Sequence, residues 1–259
     1  MIAIVVGVLN LVLGIAYTTY GLITISDLKR GWKTMGFSHF GFAWVAMCFT
    51  CGPHHLVHGV HIVFEGRVGG SFDLFAVLVG LPAGVAFLFL RFEAWLGGRG
   101  DRFISGTPLW IQAIPAAGAA YITALGAWAI HRHGLAFSRQ VLPNLLLIVV
   151  YMMVGYYVTR TQLRNRAELH GWSVSGLSLA IVFPTCALMH AVYAMYGAQG
   201  TYHPDWHGWA IDWLAVPAAI YFLWVVRNLH QRTMRDWNRT MMDAVPDRAA
   251  TAVALSVQD

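Results

Sequence analysis

The sequence predicts an all-α fold: a polytopic membrane bundle of seven transmembrane helices, N-terminus outside and C-terminus cytoplasmic. Three observations carry this. Of 259 residues, 58% are hydrophobic and 11% charged, where a soluble domain carries about 25% charged residues. Seven apolar runs are long enough to cross a hydrocarbon core roughly 30 Å thick. Lys and Arg fall almost entirely between alternate runs.

The runs are 2–25, 37–62, 72–95, 108–131, 140–160, 173–197 and 206–228. Backbone satisfaction in lipid leaves the helix as the only form for runs of this length. The first lacks a basic leading region and stays apolar to about Ile25, so it reads as a membrane helix rather than a cleaved leader. The seven-helix domain is expected over 1–242. Residues 243–259, rich in Ala, Val and Asp, are expected to form a flexible cytoplasmic tail.

Orientation follows from the basic residues. Fourteen lie on one side: Lys29, Arg30, Lys33, Arg91, Arg99, Arg102, Arg160, Arg164, Arg166, Arg227, Arg232, Arg235, Arg239 and Arg248. The other side holds three, Arg67, Arg132 and Arg139. The positive-inside rule makes the richer side cytoplasmic, in a plasma membrane of bacterial inner-membrane type. The net charge of +5 thus serves topology and is no argument for nucleic acid as a partner.

The chemistry lies in the histidines. Nine of the twelve fall on the outer side of this topology. Four occupy one stretch late in the second run: His54, His55, His58 and His61. His131, His133, His190, His203 and His207 follow near the ends of later runs. Imidazole is the commonest metal ligand and is costly at membrane depth without a partner. Residues three or four apart share a helix face, so His54, His58 and His61 form one stripe. His203 and His207 are four apart at the start of the last run. The expected ligands are His54, His58, His61, His190, His203 and His207, with His55 as a supplement. His131 and His133 read as headgroup contacts, and His39, His170 and His230 as structural.

Two carboxylates are candidates for catalysis. Glu65 follows His54 by eleven residues, and Asp212 lies inside the last run, where it must face the bundle interior. Imidazole suits zinc, copper and iron; calcium and magnesium want more carboxylate. The expected cofactor is a transition metal ion, zinc or copper ahead of iron. Haem is disfavoured because the histidines crowd at one level. Pro53 and Pro184 are expected to kink their helices. Cys48, Cys51 and Cys186 read as buried small hydrophobes, with a Cys51–Cys186 bridge or a sulfur contribution to copper as alternatives. No lysine in the last run offers a Schiff base for retinal.

Part of this pattern resembles the seven-span zinc hydrolase superfamily of alkaline ceramidases and progestin/adiponectin receptors. The likeness rests on Thr50-x-x-x-His54, Glu65, and His203-Pro-Asp-Trp-His207. It implies that His54, His203 and His207 hold zinc and that Glu65 handles the attacking water. Thr50 stands where the family has Ser, and Glu65 where it has Asp. Met189-His190 with Met195 is similar to a motif of bacterial MHYT sensory domains.

The expected function is a membrane-embedded metalloenzyme acting on a lipid or lipid-soluble small molecule, as a zinc hydrolase or a copper or iron oxidoreductase. The alternatives are a metal transporter, metallochaperone or sensor subunit, and a structural subunit with a membrane-protein partner or as a homo-oligomer. Against transport, Asn10, Gln112 and Asn144 read as isolated polar residues in the inner halves of the spans. The topology has a direct check. Alkaline phosphatase fused after Gly66 is expected to be active, and fused after Arg235 inactive; the reverse pattern overturns the orientation.

Overall fold

A computed structural model describes residues 1–66, 69–104, 110–133, 141–169, 171–201 and 206–237. Among them are seven helices: α1 (Ile2–Met35), α2 (His39–Glu65), α3 (Ser71–Trp95), α4 (Trp110–His133), α5 (Leu142–Leu169), α6 (Val174–Ala198) and α7 (Trp206–Gln231). Two-residue strands β1 (Phe103–Ile104) and β2 (Trp172–Ser173) pair antiparallel. Each apolar run of the sequence becomes one helix. α1 and α5 continue beyond their runs into segments bearing Lys and Arg, where basic side chains remain good helix formers. The tail 243–259 lies outside the described residues.

Among the described residues, five helices, α1, α3, α5, α6 and α7, are long and apolar enough to cross a membrane. α2 has the length, 27 residues, but its histidines lower its hydropathy. α6 is the centre of the bundle. In its most apolar window 94% of the residues are buried, and α3, α4 and α5 all pack against it. α2 and α6 run unbroken through Pro53 and Pro184.

α1 and α2 are joined by a glycine seam. Gly7, Gly14 and Gly21 recur every seventh residue on α1, facing Gly52 and Gly59 on α2. A Cβ on Gly14 would sit 2.9 Å from the Gly52 carbonyl oxygen, and one on Gly59 would sit 2.8 Å from the Gly7 carbonyl oxygen. Only glycine lets two backbones approach this closely, the usual device for joining helices in lipid. The seam makes α1 and α2 antiparallel, with Gly7 beside Val63 and Gly21 beside Cys48.

The starts of α2 and α6 are pinned in the same way. Ser38 caps α2 by accepting from Gly41 N at 2.8 Å. Ser173 caps α6 by accepting from Gly176 N at 2.9 Å. Each serine hydroxyl donates to a buried aspartate from a distant loop: Ser38 to Asp236 and Ser173 to Asp101, both at 2.6 Å. Those carboxylates also accept backbone N–H bonds, Asp236 from Phe40 and Asp101 from Ser175, both at 3.0 Å. A carboxylate suits a helix N-terminus because the unpaired N–H groups and the helix dipole are both positive there.

The seam is testable by adding one methyl group. Gly14→Ala is expected to cost about 1–3 kcal/mol through overpacking, read as a lower midpoint of thermal unfolding in detergent. Gly126→Ala on α4, where a Cβ meets nothing within 4 Å, should leave the midpoint unchanged.

Candidate metal centre

Five helices bring polar side chains to one buried locus. α2 supplies His54, His55, His58 and His61, all buried. α5 supplies Asn144, α6 His190 and Tyr193, and α7 Asp212; these four are 0–5% exposed. α1 adds Asn10, fully buried. Asp212 is 1% exposed, and a carboxylate so buried depends on such polar partners.

Asp212 Oδ1 lies 2.9 Å from His54 Nδ1. Asp212 Oδ2 accepts from Asn144 Nδ2 at 3.2 Å. Asn144 Oδ1 in turn faces His190 Nδ1 at 2.6 Å. These contacts form one relay from α2 through α7 and α5 to α6.

Hydrogen-bond logic fixes the protons in this relay. An ionised carboxylate only accepts, so the amide NH₂ of Asn144 must face Asp212 and its oxygen must face His190. His190 Nδ1 is then a donor. In a neutral imidazole the other ring nitrogen is a bare lone pair. His54 Nδ1 faces the other carboxylate oxygen as a close contact rather than an aligned hydrogen bond. Its Nε2 is buried and has no hydrogen-bond partner. His55 is set by a parallel arrangement on α1. Asn10 Nδ2 donates to the Val6 carbonyl at 2.9 Å, leaving Asn10 Oδ1 to accept from His55 Nδ1 at 2.8 Å.

Rings close around the relay. The His54 and His190 centroids are 5.1 Å apart, and Tyr193 packs 5.2 Å from His54 and 4.2 Å from His58. Tyr151 stands 5.4 Å from His190 and Tyr17 5.3 Å from His55.

Among the described residues, His54, His190 and Asp212 form the one group whose donor atoms, one from each residue, all lie within 4.8 Å of one another. Two imidazoles and a carboxylate are a donor set for zinc or iron.

No family model, characterised protein or solved structure matches the chain. Its chemistry therefore rests on its own residues.

The sequence-derived ligands fare unequally. His54 and His190 enter the cluster, joined by Asp212. His58 is buried one turn along from His54, against Tyr193. His61 is buried with its Nε2 3.8 Å from Glu65 Oε1. Glu65 is 43% exposed and stands about 16 Å along α2 from His54, at 1.5 Å per residue. Thr50 Oγ1 donates back to the carbonyls of Ala46 and Met47, both at 3.0 Å, within its own helix. His203 lies outside the described residues, as does the side chain of His207. His39 bonds Tyr221 at 2.7 Å and His230 bonds Thr161 at 3.0 Å, in keeping with structural roles.

Asn10 and Asn144 correct the expectation of isolated polar residues. Both sit at the level of the histidines and orient them. The sequence carried the signal: Asn10 and Asn144 are lone amides eight and four residues inside the starts of their apolar runs, much as His54 and His190 lie eight and seven residues inside the ends of theirs.

Partners that orient a ligating histidine are typically worth 10–100-fold in metal affinity. Asn144→Leu removes the acceptor that fixes His190 and a donor to Asp212. It is expected to weaken zinc binding by about 10–100-fold with helical content unchanged, measured by competition against a chromophoric chelator.

Proposed function

We propose that the chain is a seven-span membrane metalloenzyme, with a transition-metal centre at His54, His190 and Asp212 on the outer side of the bilayer. The observation that carries this reading is the convergence of three buried donors from three helices. Three protein ligands leave a coordination position open for water or substrate, the mark of catalytic rather than structural sites. His54, His190 and Asp212 would hold the ion between them.

A divalent ion facing one carboxylate leaves one positive charge inside the protein. A zinc ion held by these three residues would lower the pKa of a bound water. Hydrolysis of a lipid amide or ester fits this chemistry, and the resemblance through His54 to the zinc hydrolases supports it. Under the larger ligand set, His58, His61, His203 and His207 extend the centre toward the outer surface, with Glu65 at its rim. Iron or copper in the same donors would serve oxidation of a lipid-soluble substrate.

A lipid-soluble substrate is supported by an apolar cavity of about 300 Å³ between α4, α5 and α6. Leu125, Val141, Leu145, Ile148, Ala191 and Ala194 are among its walls. A pocket of this size suits a small apolar molecule or part of an acyl chain.

Metal analysis of detergent-purified protein tests the reading. Close to one transition-metal ion per chain is expected to survive dialysis in the wild type and to be lost in His54→Ala/His190→Ala. A colourless zinc protein supports hydrolysis, and a paramagnetic copper or iron signal supports oxidation. Wild-type protein that neither retains nor takes up stoichiometric metal overturns the reading.

A further inference from the structure

A layer of sulfur lies one helical turn from the imidazoles. Cys51 precedes His54 by three residues on α2, and Cys186 precedes His190 by four on α6. The two helices run the same way. α2 is antiparallel to α1 along the glycine seam. α3 is parallel to α1, as Trp95 Nε1 donates to Ser26 Oγ at 3.2 Å while Gly69 lies beside Ala3. α6 is antiparallel to α3, with Gly70 beside Tyr196 and Gly80 beside Thr185. The facing pair His54 and His190 is therefore followed, in the same direction, by the pair Cys51 and Cys186.

Both cysteines line one cavity of about 20 Å³, together with Met47, Cys48, Tyr17 and Trp44. That volume admits one water-sized particle, but a water needs two to four polar partners. Thiol and thioether sulfur bond hydrogen weakly and bind soft metal ions strongly. Two phenols address the thiols from outside. Tyr151 OH is 3.1 Å from Cys51 Sγ, and Tyr17 OH is 3.9 Å from Cys186 Sγ. The three cysteines are free, so none is consumed in a bridge.

We propose that Cys51 and Cys186, with the Met47 thioether, form a second metal site that takes monovalent copper. Thiolate with thioether selects Cu(I), whereas zinc wants four ligands and rarely sulfur of the thioether kind. Binding is an exchange without redox change: Cu⁺ enters, the two thiols release two protons, and two copper–sulfur bonds form. The bis-thiolate carries one negative charge, which the O–H groups of Tyr151 and Tyr17 stabilise by donating to the sulfurs. The site stands independently of the histidine centre and uses none of its ligands.

The test is a Cu(I) titration of the full-length protein in detergent, kept reduced and anaerobic, against a chromophoric Cu(I) chelator. Wild type is expected to hold one tight equivalent. Cys51→Ser/Cys186→Ser is expected to lose it, and His54→Ala/His190→Ala to keep it. X-ray absorption of wild-type protein loaded with one equivalent of copper should show sulfur neighbours, a readout that requires no variant to fold. Unchanged affinity in the double cysteine variant, zinc competing equally for the cavity, or only nitrogen and oxygen neighbours around copper overturns the proposal.

Discussion

The buried carboxylate of Asp212 is the constraint on which the bundle's interior depends. A carboxylate at 1% exposure among apolar helices is tolerable only if its oxygens are met by donors. Asn144 donates to one oxygen, the His54 ring lies 2.9 Å from the other, and Asn144 passes the demand on to His190. A single charge on α7 therefore dictates what α2, α5 and α6 present at that level, and in which tautomer.

That relay needs its helices at fixed heights, and two devices supply this. The glycine seam locks α1 to α2 at backbone contact, which also brings Asn10 level with His55. The paired Ser–Asp caps, Ser38 with Asp236 and Ser173 with Asp101, fix where α2 and α6 begin. These are the two helices that carry cysteine and then histidine in the same order. A slip of one residue on either would turn its donors by about 100° and break both layers together. The caps thus act on the site from roughly four to five helical turns away, and the seam from within about one turn of it.

The sequence made the helices legible because apolar run length and charge asymmetry are strong, local signals. It also brought out His54, His190 and Asp212, since an ionisable group inside a span must face the interior. What it hid was pairing. Nothing along the chain says that Asn144 lies between His190 and Asp212, because those contacts span 46 and 68 residues. Helical spacing placed His58 and His61 with His54 on one face, and the resemblance brought in Glu65, yet eleven residues of rise separate Glu65 from His54. The seven-residue glycine period on α1 was written in the sequence. Its meaning depends on Gly52 and Gly59 opposite, which only packing reveals.

Anomalous X-ray scattering at the zinc edge, from crystals of the full-length protein soaked in zinc, tests the metal centre most directly. A single strong peak bounded by His54, His190 and Asp212, at bonding distance from a ring nitrogen of each histidine, is the predicted result. A protein that takes up zinc with the peak elsewhere, and with the relay of His54, Asp212, Asn144 and His190 intact and unoccupied, would contradict it.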